Sequence, residues 1–440
     1  MAMDSTSQPQ SLTELNACTT TSHSHSHSHS HSHRPVKETT FREWVVSNQI
    51  GISLTTLSMI LAVHHLYPSL SPYTTPFFQL SYYQPSQGLY IQGRDDVYFV
   101  LSSVLAFTAV RAISIEWVLR PMALRLGLKR KESIRFAEQG WMFLYYAVFW
   151  TTGMYIWSQS YYWGDFKAIW AEWPSRGVSG SLKWYLLAQL AFWLQQIFVI
   201  HVEERRKDHY QMLTHHLITS SLLTSAYIYG FYNVSNVVLS LMDAVDLLLP
   251  FAKILKYLRF ELSCNIAFGV FMVTWLISRH IFYPLLCWSI FKDVPAAMSY
   301  GCYSGTTAEM ISTNGYPDQF THLFYPFLDI DGPICMNRTI KWLFLSSLLS
   351  LQVLSLIWFS MVIRVAVGVL RTGNAEDTRS DDEDEDEDEE VSSPKELSTV
   401  NAIPAEVSTP EWRRSNGHVR PRGRSDRKAL LGRIGCDKPT

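Results

Sequence analysis

The sequence predicts an all-α polytopic membrane protein with about eight transmembrane helices and disordered tails, and three observations carry that prediction. Apolar stretches of about 18 residues or more, long enough to cross a bilayer, recur from about residue 45 to 365. Many of the 15 Trp residues stand near the ends of these stretches, where amphipathic rings suit the headgroup region. Lys and Arg gather in alternate connections, the asymmetry that orients helices in a membrane.

The first forty residues are rich in Ser, Thr and His and lack an apolar signal-peptide core, so the first span is expected to act as its own insertion signal. They include "TSHSHSHSHSHSHRP", six histidines alternating with serine. Such a tract can bind soft divalent metals, but a disordered low-complexity segment is the simpler reading, and no metal site is assigned.

Eight spans are expected at 45–66, 97–119, 138–157, 184–202, 212–230, 236–257, 264–290 and 341–364. The connection after the second span carries Arg120, Arg125, Lys129, Arg130, Lys131 and Arg135, that after the fourth Arg205, Arg206 and Lys207, and that after the sixth Lys256 and Arg259. Positive connections stay cytosolic, which places both termini in the cytosol and the odd-numbered connections, 291–340 among them, in a lumen. The organisation expected is a cytosolic segment 1–40, a first helix and lumenal loop 41–95, a membrane core 96–372, and a cytosolic tail 373–440.

The six cysteines show no metal-ligand spacing. Cys302 and Cys335 share the last lumenal loop, where an oxidising compartment can bridge them; two unpaired thiols are the alternative. The sequon at Asn337 sits too close to the next span for glycosylation to be expected. Beyond the last span, "SDDEDEDEDEE" is a solvated acidic block, and Thr378 and Ser380 precede its acids at the spacing an acidophilic kinase prefers. The basic run "RRSNGHVRPRGRSDRK" can lie on anionic lipid or fold back on that block, and nearly cancels it in a net charge of −2. No nucleic-acid partner is expected.

Ionisable residues at membrane depth are costly and mark function by default. The sixth span places Asp243 and Asp246 three residues apart, on one helix face. Pro250, four residues on, frees the carbonyl of Asp246 and favours a kink. The alternative for these acids is an ion pair with a base on a neighbouring helix. The fifth span carries His215 and His216, about 100° apart on a helix, with Thr219 and Ser220 continuing the polar stripe from His216. At 1.5 Å per residue His216 lies about 7 Å below the cytosolic surface, Asp246 about 10 Å and Asp243 about 15 Å, so these groups can meet on antiparallel neighbours. A second dipeptide, His64 and His65, has no acids nearby in sequence and lies at the opposite face. Arg111, in the second span, either pairs with Glu116 or neutralises a phosphate, the pairing being the simpler role. Basic cytosolic loops ring the same side and would attract an anionic substrate.

Histidine with a carboxylate partner is the recurring device of general acid–base catalysis. No Ser or Cys stands in a nucleophile-elbow motif. The residues alone therefore point to a membrane acyl- or group-transfer site. A transporter using the Asp pair as an ion site is the rival, and no internal repeat supports it.

The run "RRKDHYQMLTHHLITSSLLTSAYIYGFYNVSNVVLSLMDAVDLLLPFAKILKY" resembles the signature of the TLC-domain ceramide synthases, the longevity-assurance family. Upstream "ESIRFAEQGWMFLYYAVFWTTGMYIW" and downstream "FMVTWLISRH" are similar to further family elements, so the likeness covers about residues 95–372. Many members have His-Asp where this chain has Met242-Asp243, the form of the fungal branch. The resemblance implies a central six-helix TLC-domain bundle or barrel in the endoplasmic reticulum membrane. It implies N-acylation of a sphingoid long-chain base by fatty acyl-CoA, giving ceramide, with acyl-CoA as co-substrate and no cofactor. It implies His215 and His216 as catalytic histidines, Asp243 and Asp246 as their acidic partners, and Lys253, Trp275, Arg279 and His280, with Arg111, as candidate substrate-binding residues. It also leaves room for a homo- or heterodimer or a small regulatory membrane subunit. A non-catalytic relative, lipid-binding or translocon-associated, is the alternative, which retention of both His and Asp pairs speaks against.

Overall fold

Eight long helices follow one another through the described part of the chain, with small elements in the connections. They are α1 (Phe41–Leu66), α2 (Asp96–Arg125), α3 (Arg130–Ser158), α4 (Gly180–Val202), α5 (His209–Ile228), α6 (Tyr232–Tyr257), α7 (Glu261–Lys292) and α8 (Arg338–Thr372). The computed structural model describes residues 41–174, 176–202, 208–305, 307–312 and 321–372. The His-Ser tract, Arg205 to Lys207, Thr378, Ser380, the acidic block and the basic run lie outside the described residues.

By length and composition α1, α2, α7 and α8 can each cross a membrane. Of the other four helices, α5 and α6 hold the paired histidines and acids and α4 holds Gln189, Gln195 and Gln196. Seven of the eight expected spans fall within one helix each, and the fifth, 212–230, runs two residues past the end of α5 at Ile228. The helices extend beyond them at several ends, because charged first turns such as that of α3 lower local hydropathy without opposing helix formation.

Two glycines set sharp helix ends. After α2, Gly127 has φ +84°, its N–H bonds the carbonyl of Leu124, and the N–H of Leu128 bonds that of Ala123, the paired closure that a residue without Cβ makes at low strain. Gly230 (φ +74°) does the same after α5, with Gly230 bonding Tyr227 and Phe231 bonding Ala226. This tight link turns the chain directly into α6. At the start of α3, Glu132 Oε2 accepts the N–H of Lys129 at 3.0 Å, satisfying one donor the helix leaves open. Pro250 sits inside α6 and the helix runs on through it to Tyr257. Single π-helical turns interrupt α2 at Ser114–Leu119 and α7 at Ser278–Phe282; such bulges re-aim side chains and recur at functional sites.

Four connections meet at one end of the bundle. The hairpin of β1 (Tyr83–Gln84) and β2 (Leu89–Tyr90) bridges from Tyr90 to Val178, Gln92 Nε2 donates to the carbonyl of Ile228 at 3.0 Å, and Trp173 Nε1 donates to that of Tyr229 at 3.0 Å. Arg176 reaches the carbonyls of Ile330 and Gly332. A three-stranded sheet, ordered β4 (Met310–Ser312), β3 (Gly301–Tyr303), β5 (Ile334–Met336), completes this end, and Cys302 and Cys335, opposite each other on β3 and β5, form a disulfide.

A buried ion pair locks the first connection to the bundle. Lys183 of α4 has its Nζ 2.7 Å from Asp96 Oδ1 with both side chains almost wholly buried, and it donates to the carbonyls of Ser81 and Ile91. Tyr227 Oη donates to Asp96 Oδ2 at 2.7 Å. Removing the ammonium alone strands a buried carboxylate, a loss of about 3–5 kcal/mol. Lys183→Met is expected to lower the thermal midpoint of the detergent-solubilised protein, and the double variant Asp96→Asn, Lys183→Met to recover most of it; an unchanged midpoint in the single variant would show that the pair is not structural.

Candidate active site

α5 and α6 run antiparallel on either side of the Gly230 link, which brings their polar residues to comparable depth. Between α5, α6 and α8, with contributions from α4 and α7, lies a chamber that is partly open to its surroundings. Its two ends differ in chemistry. One end is lined by His215, Thr219, Asp246, Arg279 and Ser355 together with Trp193 and Trp358. The middle is aliphatic, with Leu222, Ala226, Val238 and Leu348, and the far end, beside the disulfide-bearing sheet, is lined by Trp170, Val294, Met336 and Lys341.

His215 is the histidine that lines the chamber. Its ring stands edge-on to Trp193 at 5.4 Å and to Trp358 at 5.2 Å between centroids, so two indoles on different helices fix its orientation. His216, 6% exposed, is packed behind, its ring 5.4 Å from the same Trp193. The 100° step between neighbours on a helix, which left either histidine free to face a cavity, thus resolves in favour of His215.

No hydrogen bond joins the histidines to the carboxylates among the described residues. The Nδ1 atoms of both histidines are buried with no hydrogen-bond partner among the described residues. Each acid instead has a partner on another helix. Asp243 is fully buried, and its Oδ2 accepts from Gln189 Nε2 of α4 at 2.6 Å. Tyr145 Oη donates to Gln189 Oε1 at 2.8 Å, which turns the amide so that its NH₂ faces the acid. Asp246 Oδ2 accepts from Arg279 of α7 at 2.8 Å, the ion pair with a neighbouring helix that was the alternative for these acids. A buried carboxylate needs a hydrogen-bonding or charged partner, and Gln189 and Arg279 supply it.

Of the remaining candidates, Arg279 lines the chamber, sits on the π-helical turn of α7, donates to the carbonyl of Met242 at 3.0 Å, and lies 4.5 Å over the Trp275 ring. Trp275 therefore supports the arginine from beneath. His280 Nδ1 is 3.0 Å from Gln352 Nε2, and its ring meets Phe359 edge-on at 4.7 Å. Arg111 and Lys253 are half-buried and are not among the residues lining the chamber; Glu116 is exposed. His64 Nδ1 pairs with Thr74 Oγ1 at 2.7 Å and stacks edge-on to His65 and Phe78, a local packing role away from the chamber.

Reasoning from the sequence missed Gln189, Trp193, Ser355 and Trp358. A signal existed for the first two: a glutamine and an indole in the middle of a span, where spans are otherwise aliphatic, are as conspicuous as an acid. At the chamber's polar end the Nε1 atoms of Trp193 and Trp358, Thr219 Oγ1 and Ser355 Oγ are buried without partners among the described residues. Each such group costs about 1–3 kcal/mol if left unmatched, and their concentration around His215 marks a surface built to receive a polar ligand group. Among the described residues no group of three or more His, Cys, Asp or Glu side chains gathers in a metal-binding arrangement.

Comparison with known proteins gives the chain its relations. The model of the TLC domain, the family of TRAM, LAG1 and CLN8, matches residues 135–364, more than half of the chain. A sphingosine N-acyltransferase-like protein, ALT7, of Alternaria alternata is 46% identical over 347 residues, covering 78% of this chain and 77% of the relative. Ceramide synthase FUM18 of Gibberella moniliformis is 41% identical over 74% of this chain and 76% of its own length. Sphingosine N-acyltransferase lag1 of Schizosaccharomyces pombe is 39% identical over 72% and 75%.

Proposed function

The chain belongs to the TLC-domain family of sphingosine N-acyltransferases, the ceramide synthases, and we propose that it transfers a fatty acyl group from acyl-CoA to the amine of a sphingoid long-chain base at His215. The observation that carries this reading is the chamber itself. An imidazole held between two indoles stands where a long apolar space meets a cluster of polar groups, the shape needed to hold a hydrocarbon chain with its reactive carbonyl at the histidine.

The chemistry asked of His215 takes one of two forms. In direct transfer the imidazole accepts a proton from the amine as its nitrogen attacks the thioester carbon; the C–N bond forms, the C–S bond breaks, and CoA leaves as the thiol. In the two-step form the imidazole nitrogen attacks first, CoA departs, and the amine then displaces the imidazole from the acyl group. Nδ1 is buried, so Nε2 is the nitrogen that serves either route. The Arg279 and Asp246 pair across the chamber supplies a fixed dipole that can orient the amine and carbonyl. The reaction calls for no cofactor beyond the CoA thioester.

The eight helices are read as eight spans of a six-helix TLC core plus α1 and α2, in the endoplasmic reticulum membrane with both termini cytosolic. The disulfide between Cys302 and Cys335 supports placing its end of the bundle in an oxidising lumen, and the meeting of four connections at that end suits helices that alternate in direction. The polar end of the chamber then lies toward the cytosol, where acyl-CoA is found.

The test is substrate dependence in microsomes carrying the protein. Ceramide is expected only when acyl-CoA and long-chain base are both supplied; a non-catalytic relative would bind lipid and form none. Incubation with labelled acyl-CoA alone separates the two routes, since label on the protein that is lost in His215→Ala follows from the two-step form, and no label under rapid quench from the direct one.

A further inference from the structure

We propose that Thr219 and Ser355 form a hydroxyl-recognition subsite for the amino-diol head of the long-chain base, one helical turn from His215 toward the disulfide end of the chamber. The proposal rests on the reading of the chain as an N-acyltransferase of such bases and adds to it the residues that select the head group.

Hydroxyls on membrane helices ordinarily fold back on their own helix, because no water is available to them. α8 follows this rule at four serines. Ser346 and Ser347 donate to the carbonyl of Leu343 at 3.0 and 2.9 Å, Ser350 to that of Ser347 at 2.7 Å, and Ser360 to that of Ile357 at 2.7 Å. Ser355 breaks it: only 4% exposed, it leaves its Oγ with no partner among the described residues and lines the chamber. The same contrast holds on α5, where Thr224 and Ser225 donate to the carbonyls of Ser220 and Ser221 at 2.8 and 2.7 Å. Thr219, which lines the chamber, leaves Oγ1 buried and without a partner among the described residues.

Ser220 of α5 and Ser278 of α7 also leave a buried Oγ without a partner among the described residues, but neither lines the chamber; position joins the two that do, Thr219 and Ser355, into one site. Trp358 of α8 packs on His215 of α5, so the two residues mark one level of the chamber. Thr219 is four residues from His215 toward the disulfide end, and Ser355 is three residues from Trp358 in the same direction, because α5 and α8 are antiparallel. At 1.5 Å per residue these offsets are about 6 and 4.5 Å, so the two hydroxyls share a level just beyond the imidazole.

A base whose amine reacts at His215 carries hydroxyls on the two carbons flanking the amine-bearing carbon, and both lie within one helical turn of the reacting nitrogen. Ser and Thr can donate and accept at once, which matches an alcohol better than it matches a thioester carbonyl. Binding the base then satisfies the protein and the substrate hydroxyls together, and a base lacking one of them leaves a buried protein hydroxyl unmatched.

The experiment compares a long-chain 2-amino-1,3-diol with its two analogues that lack either the 1- or the 3-hydroxyl, each acylated by membranes carrying wild type, Thr219→Val, Ser355→Ala or Ser355→Thr. Wild type is expected to prefer the diol in kcat/KM by about tenfold, the discrimination one buried neutral hydrogen bond provides. Thr219→Val and Ser355→Ala should each reduce the preference over one analogue to within about twofold by losing rate on the diol, and Ser355→Thr, which keeps the hydroxyl, should retain it. Preferences unchanged in both deletion variants would overturn the proposal, as would equal loss on the diol and both analogues, complete inactivity included. A wild-type protein that acylates none of the bases would instead sink the transferase reading on which the subsite depends.

Discussion

His215→Ala is expected to lower kcat for N-acyl transfer by about 10³-fold or more, within the 10²–10⁴ range of a lost acid–base group and larger if the imidazole carries the acyl group. His216→Ala is expected to cost far less in kcat and more in stability. The two side chains are neighbours in sequence but not in role. His215 lines the chamber with its ring between Trp193 and Trp358, whereas His216 is buried behind it against Trp193. Emptying the space behind Trp193 loosens the indole that orients His215, so His216→Ala should act through packing, at about 2–4 kcal/mol of stability. His216→Phe or His216→Leu, which refill the space, should restore much of the activity that His216→Ala loses; no such rescue is expected for His215. Steady-state kinetics on membranes matched for protein level check this, and equal loss from His215→Ala and His216→Ala, without rescue of the latter, would mean that the pair acts as a chemical unit.

The second large effect is expected at the ion pair of Arg279 and Asp246. Arg279→Met leaves Asp246 without its guanidinium partner, and loss of about 3 kcal/mol is expected, the lower end of the range for a broken buried pair, because the carboxylate is 28% exposed at the chamber wall. The loss should appear as reduced expression and a lower thermal midpoint. Replacing both partners, Asp246→Leu with Arg279→Met, should recover stability while activity stays low. That divergence between folding and rate identifies the pair as part of the site. If the double variant recovered activity along with stability, the pair would be scaffolding only.

Much of this molecule was legible in one dimension because its decisive patterns are local. Long apolar runs define helices whatever they pack against, and the acids and histidines stand out because charges at membrane depth are rare. Cys302 and Cys335 share one loop, and the structure joins them on adjacent strands. What the sequence could not give was partnership across large separations. Asp246 meets Arg279, 33 residues away, and Asp243 meets Gln189, 54 residues away, in place of the histidines beside them in depth. Depth along an axis is calculable at 1.5 Å per residue; rotation about that axis depends on packing. The choice of His215 over His216 as the chamber-facing ring, and the indoles that hold it, followed from that rotation. The unmatched hydroxyls of Thr219 and Ser355 were invisible for the same reason, since a serine that bonds its own helix and one that waits for a ligand are spelled alike.

The account's central claim is that this chain makes ceramide at His215. Expression in cells that lack every ceramide synthase, with lipid mass spectrometry at matched protein levels, tests it most directly. Wild type is expected to restore ceramide and His215→Ala to leave it at the level of the empty vector. Full ceramide output from His215→Ala would contradict the claim.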